Sequence, residues 1–134
     1  MNRYEKIAAP AVAAVLAGCS TPPMPQGCGQ EQFDAFLPRY MSDRPFAVER
    51  TVFPLESIDK AEGKTSLVSR EQFAASRLLA DVIKADQLST RQSATPGAME
   101  LNVFKPDADS HLYFYRFRQQ NGCWYLWQFE DSSL

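Results

Sequence analysis

Residues 111–131, HLYFYRFRQQNGCWYLWQFED, carry the strongest structural signal in this chain. At its centre, Asn121-Gly122 is a strong signal for a tight β-hairpin turn, because both residue types tolerate positive φ. The flanking residues 111–120 and 123–129 are predicted to form the two strands. This segment holds eight of the 16 aromatic residues of the 134-residue chain, so we expect the hairpin to lie at the centre of the structure.

Counting outward from the turn predicts which hairpin side chains lie opposite each other. Arg118 is expected to face Tyr125, and Arg116 is expected to face Trp127. An Arg116–Trp127 cation–π pair would stabilise the sheet. Alternatively, these side chains form a recognition surface, because Trp, Tyr and Arg dominate interaction hot spots. The candidate binding surface comprises Tyr113, Tyr115, Arg116, Arg118, Tyr125 and Trp127.

The chain before the hairpin alternates between helical and strand patterns. An apolar stripe at helical spacing predicts a helix over residues 30–41, which Pro38 is expected to kink or to end near Leu37. The other predicted elements are a short helical turn after residues 42–45, strands over 48–55 and 65–68, a helix from a capping box at 69–72 to about 84–86, and strands over 89–94 and 99–104. This order predicts an α+β fold with N-terminal helices packed on one face of a curved antiparallel sheet.

A set of short motifs adds a resemblance to this pattern. The motifs are Phe33-x-x-Phe36-Leu37, Asp43, Phe46, Arg50, Phe53-Pro54-Leu55, Trp124-x-Leu126 and Glu130-Asp131-Ser132. They resemble a periplasmic, lipoprotein-borne bacterial domain family whose fold is similar to the nuclear transport factor 2-like or cystatin-like cone. The resemblance implies a curved sheet wrapped around a helix, with a pocket at the open end. It implies no catalytic residues.

The first 19 residues have the pattern of a lipoprotein signal. A charged start is followed by a short apolar run, over residues 7–16, that is too short to span a bilayer. Residues 16–19, LAGC, resemble a lipobox, which implies cleavage after residue 18 and acylation of Cys19. We expect residues 1–18 to be a signal peptide, residues 19–29 to be a Pro-rich tether and residues 30–134 to be one domain. Ser20 resembles the outer-membrane sorting pattern, so we place the domain at that membrane, facing the periplasm.

Export changes how the three cysteines are interpreted. If Cys19 carries lipid, Cys28 and Cys123 remain as a pair, and an oxidising periplasm favours a disulfide between them. Two unpaired thiols are the alternative.

Few residues suggest a binding or catalytic site. The candidate pocket comprises Phe33, Phe36 and Tyr40 of the first helix, with Arg50 as an anion anchor at the mouth or as a solvated strand residue. Asp107, Asp109 and His111 are spaced to bring carboxylates near an imidazole, but three ligands fall short of a zinc or calcium site. We therefore expect no metal and no cofactor.

Composition and motifs favour binding over catalysis. The chain has 14 basic and 16 acidic side chains, which argues against a nucleic-acid partner. The leading hypothesis is a lipid-anchored, non-catalytic periplasmic domain that recognises a protein partner or a small ligand. One alternative is an immunity lipoprotein that neutralises a periplasm-acting bacterial effector. Another is an enzyme acting on an envelope metabolite, with Asp109 and His111 as the proton-transfer pair.

Overall fold

The computed structural model describes residues 27–134, so the predicted signal peptide, Cys19 and most of the tether lie outside the described residues. Within residues 27–134, no helix is long and apolar enough to cross a membrane. The helices are α1 (Phe33–Ser42), α2 (Arg44–Glu49), α3 (Arg70–Ala75) and α4 (Leu79–Ala85). The strands are β1 (Thr51–Asp59), β2 (Lys64–Val68), β3 (Ser89–Thr95), β4 (Ala98–Phe104), β5 (Leu112–Gln120) and β6 (Cys123–Asp131).

All six strands form one sheet in the order β2-β1-β6-β5-β4-β3, and the helices pack on it. This arrangement confirms the predicted α+β class. Four of the strand pairs are antiparallel, as expected, but β1 and β6 run parallel. The sheet is therefore mixed. Local hairpin signals could not show this pairing, because β1 pairs with the free edge of β6, whose first residue Cys123 lies 72 residues after Thr51, the first residue of β1.

The first helix continues through Pro38 to Ser42, whereas the sequence predicted a kink or an end near Leu37. Pro38 removes only one backbone hydrogen bond and lies on the exposed face. Buried side chains anchor the helix on both sides of it, namely Phe33, Phe36, Leu37 and Tyr40. The packing of this stripe outweighs the cost of the proline. The predicted second helix is confirmed as α2, where the Asp43 side chain accepts a hydrogen bond from the Phe46 amide at 3.2 Å.

The predicted helix over residues 69–86 is two helices. Its capping box at Ser69 and Gln72 is confirmed, but α3 ends at Ala75 and residues 76–78 separate it from α4. Arg44 explains part of this break, because its Nη1 donates to the carbonyl oxygens of Ala74 at 2.6 Å and Ser76 at 2.7 Å. Arg44 therefore satisfies these two carbonyl oxygens from outside the helix, in place of the backbone amides of a continuous helix.

The first strand begins at Thr51 and continues past Pro54 to Asp59, so it starts and ends later than predicted. The Phe53–Pro54 peptide bond is cis. The pairing of β1 with β6 shifts register between Thr51 and Glu56, around the proline. A proline at such an irregularity costs the sheet little, because no ladder hydrogen bond needs its missing N–H.

The hairpin register is as predicted near the turn and shifts further out. Arg118 pairs with Tyr125, but a β-bulge between Arg116 and Phe117 pairs Arg116 with Gln128 instead of Trp127. Trp127 is the extra residue of this bulge. The cation–π contact is accordingly made by Arg118, whose guanidinium carbon lies 5.6 Å from the centre of the Trp127 ring.

An aromatic core joins α1 to the centre of the sheet. Phe117 is fully buried, and its ring centre lies 5.3–5.6 Å from those of Phe33, Phe36 and Tyr40, in edge-on contacts. Leu101, Val103 and Leu126 are also almost completely buried. Toward α3 and α4 this packing is replaced by a cavity.

Candidate functional site

A cavity of about 400 Å³ lies between the sheet and the four helices. Its volume lies within the range of small-ligand sites. Most of its lining is apolar, with a few tyrosine, arginine, serine and glutamine side chains. The lining residues are Tyr40, Arg44, Ala47, Leu55, Ser57, Val68, Gln72, Phe73, Ser76, Arg77, Leu78, Leu79, Val82, Tyr113, Tyr115, Leu126 and Phe129.

The break between α3 and α4 builds one wall of this cavity. A continuous helix was expected to bury its apolar stripe in the core, but Arg77 and Leu78 lie in the extended connection and line the cavity instead. Phe73 precedes the break and Val82 follows it. Together these residues form a mainly apolar wall.

Tyrosines of α1 and β5 supply several of the polar groups of the lining. Tyr40 is buried, and its hydroxyl lies 2.8 Å from Thr51 Oγ1, which itself donates to the Ala47 carbonyl at 2.7 Å. Since Thr51 has used its proton, the Tyr40 hydroxyl is the donor of the first bond. Burial raises the pKa of the Tyr40 and Tyr115 phenols well above the usual range, although the bond to Thr51 partly offsets this for Tyr40.

The Tyr115 hydroxyl makes no hydrogen bond within residues 27–134. In the same range, no side-chain polar atom that is fully buried lacks a partner. The Tyr115 oxygen therefore contacts accessible space, and its side chain lines the cavity. Tyr113 lies two residues nearer the start of β5, where burial and the nearby Asp131 carboxylate raise its pKa.

Charged groups at the cavity have protein partners. Arg44 donates to two backbone carbonyls, as described above. Arg77 Nη2 lies 3.6 Å from Asp86 Oδ2, and His111 Nε2 lies 3.6 Å from the same oxygen. The His111 ring is also in edge-on contact with Tyr113. Arg77, Asp86, His111 and Tyr113 thus lie together at the mouth of the cavity.

Only Tyr40 of the four predicted pocket residues lines this cavity. Phe33 and Phe36 belong to the aromatic core, because α1 lies directly over Phe117 and leaves no space between them. Arg50 is neither an anion anchor at the mouth nor a solvated strand residue. It follows α2 and forms a salt bridge of 2.7 Å with Glu31, with side-chain exposures of 11% and 18%.

The predicted disulfide between Cys28 and Cys123 is confirmed and is part of a larger clamp. We use this name for residues 27–31, which are held against the hairpin turn. Cys28 N donates to the Asn121 carbonyl at 3.1 Å, and Glu31 N donates to the Gly122 carbonyl at 3.0 Å. A Cβ on Gly122 would collide with the Gly29 carbonyl, so this contact requires glycine.

Glu31 completes the clamp through Trp124. Its carboxylate accepts hydrogen bonds from Arg50 at 2.7 Å and from the Trp124 amide at 2.9 Å. The Trp124 indole donates to the Glu31 carbonyl at 2.8 Å, and Arg50 Nη2 lies 3.1 Å from Cys28 Sγ.

The six residues of the predicted binding surface lie on two faces of the sheet. Tyr113 and Tyr115 line the cavity, whereas Arg116 and Arg118 alternate with them and point to the other face. Tyr125 and Trp127 share that other face with Arg118. The prediction placed all six residues on one surface because it grouped them by residue type and did not separate the side chains that alternate between the two faces of each strand.

Polar side chains on the outer face satisfy each other. Arg116 donates to Glu100 at 2.9 Å, Gln128 at 2.6 Å and Glu130 at 3.1 Å. Burial alone would raise the pKa of Glu130, but hydrogen bonds from Ser132 and Arg116 and the Arg116 charge lower it overall. This network is a structural element of the sheet.

The predicted Asp109–His111 pair is replaced by a different one. His111 contacts Asp86, a residue that sequence reasoning missed because it follows α4, 25 residues earlier in the chain. Asp107 adopts a positive φ of 61° in its turn. Within residues 27–134, no group of three or more His, Cys, Asp or Glu side chains is arranged to hold a metal ion.

Comparison with solved structures identifies the fold. An NTF2-like protein from Bacteroides fragilis is 16% identical with a TM-score of 0.58 over 78% of this chain. An NTF2-like protein of unknown function from Silicibacter pomeroyi is 19% identical, with a TM-score of 0.46 over 75% of this chain and 92% of its own length. A cystatin-like domain from Nostoc punctiforme is 11% identical, with a TM-score of 0.41 over 75% of this chain and 74% of its own.

The likeness to the Bacteroides fragilis protein shows the NTF2-like fold and nothing more specific. This chain spans 48% of the length of that protein. No protein-family model matches the chain, and no curated protein matches it. The fold implied by the sequence motifs is thus confirmed, while the lipoprotein-borne domain family stays a prediction.

Proposed function

We propose that this chain is a non-catalytic binding domain whose cavity holds a small, mainly apolar molecule. The observation that carries the proposal is the cavity of about 400 Å³ between the helices and the sheet, whose lining is mainly apolar and includes the tyrosines Tyr40, Tyr113 and Tyr115. Such a cavity, with few polar groups placed among apolar ones, is typical of small-ligand sites.

The ionisable groups of the lining support binding rather than proton abstraction. Among the described residues they are three tyrosines and two arginines, namely Tyr40, Tyr113, Tyr115, Arg44 and Arg77. The raised pKa values keep the phenols protonated near neutral pH, and an arginine side chain does not deprotonate in proteins. Neither group removes a proton from a ligand. The His111–Asp86 pair at the mouth is the remaining candidate for the alternative of an enzyme.

The outer face of the sheet gives less support to a protein partner. Arg116 there already pairs with Glu100 and Glu130, so a partner would have to compete with these existing bonds. An interaction with a periplasm-acting effector remains a prediction from the sequence. The cavity gives the small-ligand hypothesis a specific location.

The proposal includes the lipid anchor at Cys19, which rests on the sequence. The clamp fixes residues 27–31 at the turn formed by residues 121–122, whereas the cavity mouth lies near Tyr113 at the other end of β5. Seven residue steps separate Tyr113 from Gln120, which is about 23 Å at about 3.3 Å per residue. The point where the tether joins the domain and the cavity mouth therefore lie at opposite ends of β5.

A pair of adjacent substitutions in β1 tests the proposal. Ser57 lines the cavity, and Ile58 points to the opposite face of the sheet. Pentylbenzene serves as the apolar probe, and its binding is followed by heteronuclear NMR titration of the purified protein. We expect Ser57→Phe to weaken binding by at least about tenfold, because the added ring occupies ligand space, a loss of about 1.4 kcal/mol.

The matched control is Ile58→Phe, which adds a ring of the same kind outside the cavity and should bind pentylbenzene as the unmodified protein does. Equal binding by both variants, or no binding of the probe by the unmodified protein, would contradict the proposal.

A further inference from the structure

The Tyr115 hydroxyl is a hydrogen-bond donor that has no protein acceptor within residues 27–134. Several other polar side chains of the lining already make hydrogen bonds within the protein. Tyr40 donates to Thr51, Gln72 participates in the capping box with Ser69, and the Ser76 hydroxyl donates to the Phe73 carbonyl at 2.6 Å. Tyr115 also lies deeper than Tyr113, which is near the mouth. A donor in this position is satisfied best by an acceptor atom of the ligand.

Within residues 27–134, both arginines of the lining have protein partners. The Arg44 guanidinium is held by two carbonyls, and Arg77 is paired with Asp86. Asp131 lies close enough to the Tyr113 and Tyr115 phenols to act on both electrostatically. An anion beside the phenols would be repelled by this carboxylate. A cation would be attracted by it, but Asp131 is not among the lining residues, so the cation would lose its hydration without a direct carboxylate contact.

We propose that the ligand is an uncharged, mainly apolar molecule with one oxygen atom that accepts a hydrogen bond from the Tyr115 hydroxyl. This inference rests on the proposed function and names the chemical class that the cavity selects. The apolar part of the ligand packs against Phe73, Leu78 and Val82 on the helical side of the cavity. The oxygen faces the sheet, where Tyr115 provides the donor.

The cavity volume limits the size of this ligand. A volume of about 400 Å³ corresponds to roughly 13 water molecules at about 30 Å³ each. A molecule with on the order of ten to fifteen non-hydrogen atoms fits this space. A single phenyl ring with a short chain is of this size.

Four matched probes of this size separate the alternatives. They share a phenyl ring and an alkyl chain and differ in the polar group. Methyl phenylbutanoate is an uncharged ester, and phenylpentanoate is the anion of the isomeric acid. Phenylpentylammonium is a cation, and pentylbenzene has no polar group. Binding of each to the purified protein is measured by NMR titration. We expect the ester to bind tightest and about threefold to tenfold tighter than pentylbenzene, which is the usual net contribution of one hydrogen bond.

The variant Tyr115→Phe removes only the donor. It should bind the ester about threefold to tenfold more weakly than the unmodified protein does, and pentylbenzene with unchanged affinity. Unchanged pentylbenzene binding also shows that the variant is folded. Tyr125→Phe is the matched control, because Tyr125 lies on the opposite face of the sheet, and it should leave the binding of both probes unchanged.

The possible results distinguish this inference from the proposed function. If the anion or the cation binds tightest, or if Tyr115→Phe leaves ester binding unchanged, the inference is wrong while the cavity remains a binding site. If none of the four probes binds, the proposed function fails and the inference fails with it.

Discussion

Removing the Cys28–Cys123 disulfide should destabilise the fold strongly. The perturbation is the double variant Cys28→Ser/Cys123→Ser, which leaves neither thiol free to react. The two cysteines are 95 residues apart, and closing a loop of about 100 residues lowers the entropy of the unfolded chain by the equivalent of about 4.7 kcal/mol at room temperature. The bridge therefore constrains nearly the whole described chain in its unfolded state.

Other contacts of the clamp survive this substitution and moderate its effect. Cys28 N still meets the Asn121 carbonyl, and Glu31 keeps its bonds to Arg50 and Trp124. These bonds maintain the native position of residues 27–31, but they do not restrict the unfolded chain. We therefore expect the free energy of unfolding to fall by about 3–5 kcal/mol, as is typical for the loss of a native disulfide.

Equilibrium unfolding in urea measures this change. With a slope of about 1–3 kcal/mol per molar urea, the transition midpoint should fall by at least about 1 M. Dithiothreitol should shift the midpoint of the unmodified protein toward that of the variant and leave the variant unchanged. A loss of less than about 1 kcal/mol would mean that the bridge does not constrain the unfolded state, contrary to this prediction.

Three further predictions concern other parts of the chain. In urea unfolding, Arg50→Ala should lower the free energy of unfolding by about 3 kcal/mol, because it leaves the largely buried Glu31 carboxylate without its ion-pair partner. The control Lys64→Ala removes one partner of an exposed pair and should change the free energy of unfolding by less than about 1 kcal/mol. Glu130 has a lowered pKa in the folded state, so its ionised carboxylate stabilises the fold above the unfolded pKa of about 4.3, and this stabilisation is lost as the pH falls below that value. Glu130→Gln should therefore flatten the acid limb of a curve of unfolding free energy against pH. An unaltered acid limb would contradict this. Cys19→Ala should move the protein from the membrane fraction to the soluble fraction of the cell envelope, and a variant that stays with membranes would exclude the lipid anchor.

Local signals predicted much of the fold correctly. The turn at Asn121-Gly122 and the capping box at Ser69 depend on residues that are close in sequence, so their patterns are readable without the rest of the chain. The disulfide followed from compartment and cysteine count. Long-range contacts set the features that the sequence did not show. Arg44 contacts the end of α3 30 residues later, and the parallel pairing of β1 with β6 joins distant parts of the chain.

The candidate site was harder to predict than the fold. The stripe Phe33, Phe36 and Tyr40 is apolar and regularly spaced whether it faces a cavity or a packed core, and the structure places only Tyr40 at the cavity. The cavity depends on the break between α3 and α4, which interrupts an otherwise helical pattern. Arg50 is of a residue type that often binds anions. Its partner in the structure is Glu31, 19 residues earlier in the chain, and the sequence around Arg50 does not indicate this contact.

The most direct test of the binding cavity is to locate a bound probe. The protein is crystallised with methyl phenylbutanoate brominated on its ring, and the bromine is located by its anomalous scattering. We expect one principal bromine site inside the cavity, against Phe73 and Leu78, with the ester oxygen within hydrogen-bond distance of the Tyr115 hydroxyl. Bromine found only outside the cavity, for example on the outer face of the sheet near Trp127, would contradict the claim that this cavity is the binding site.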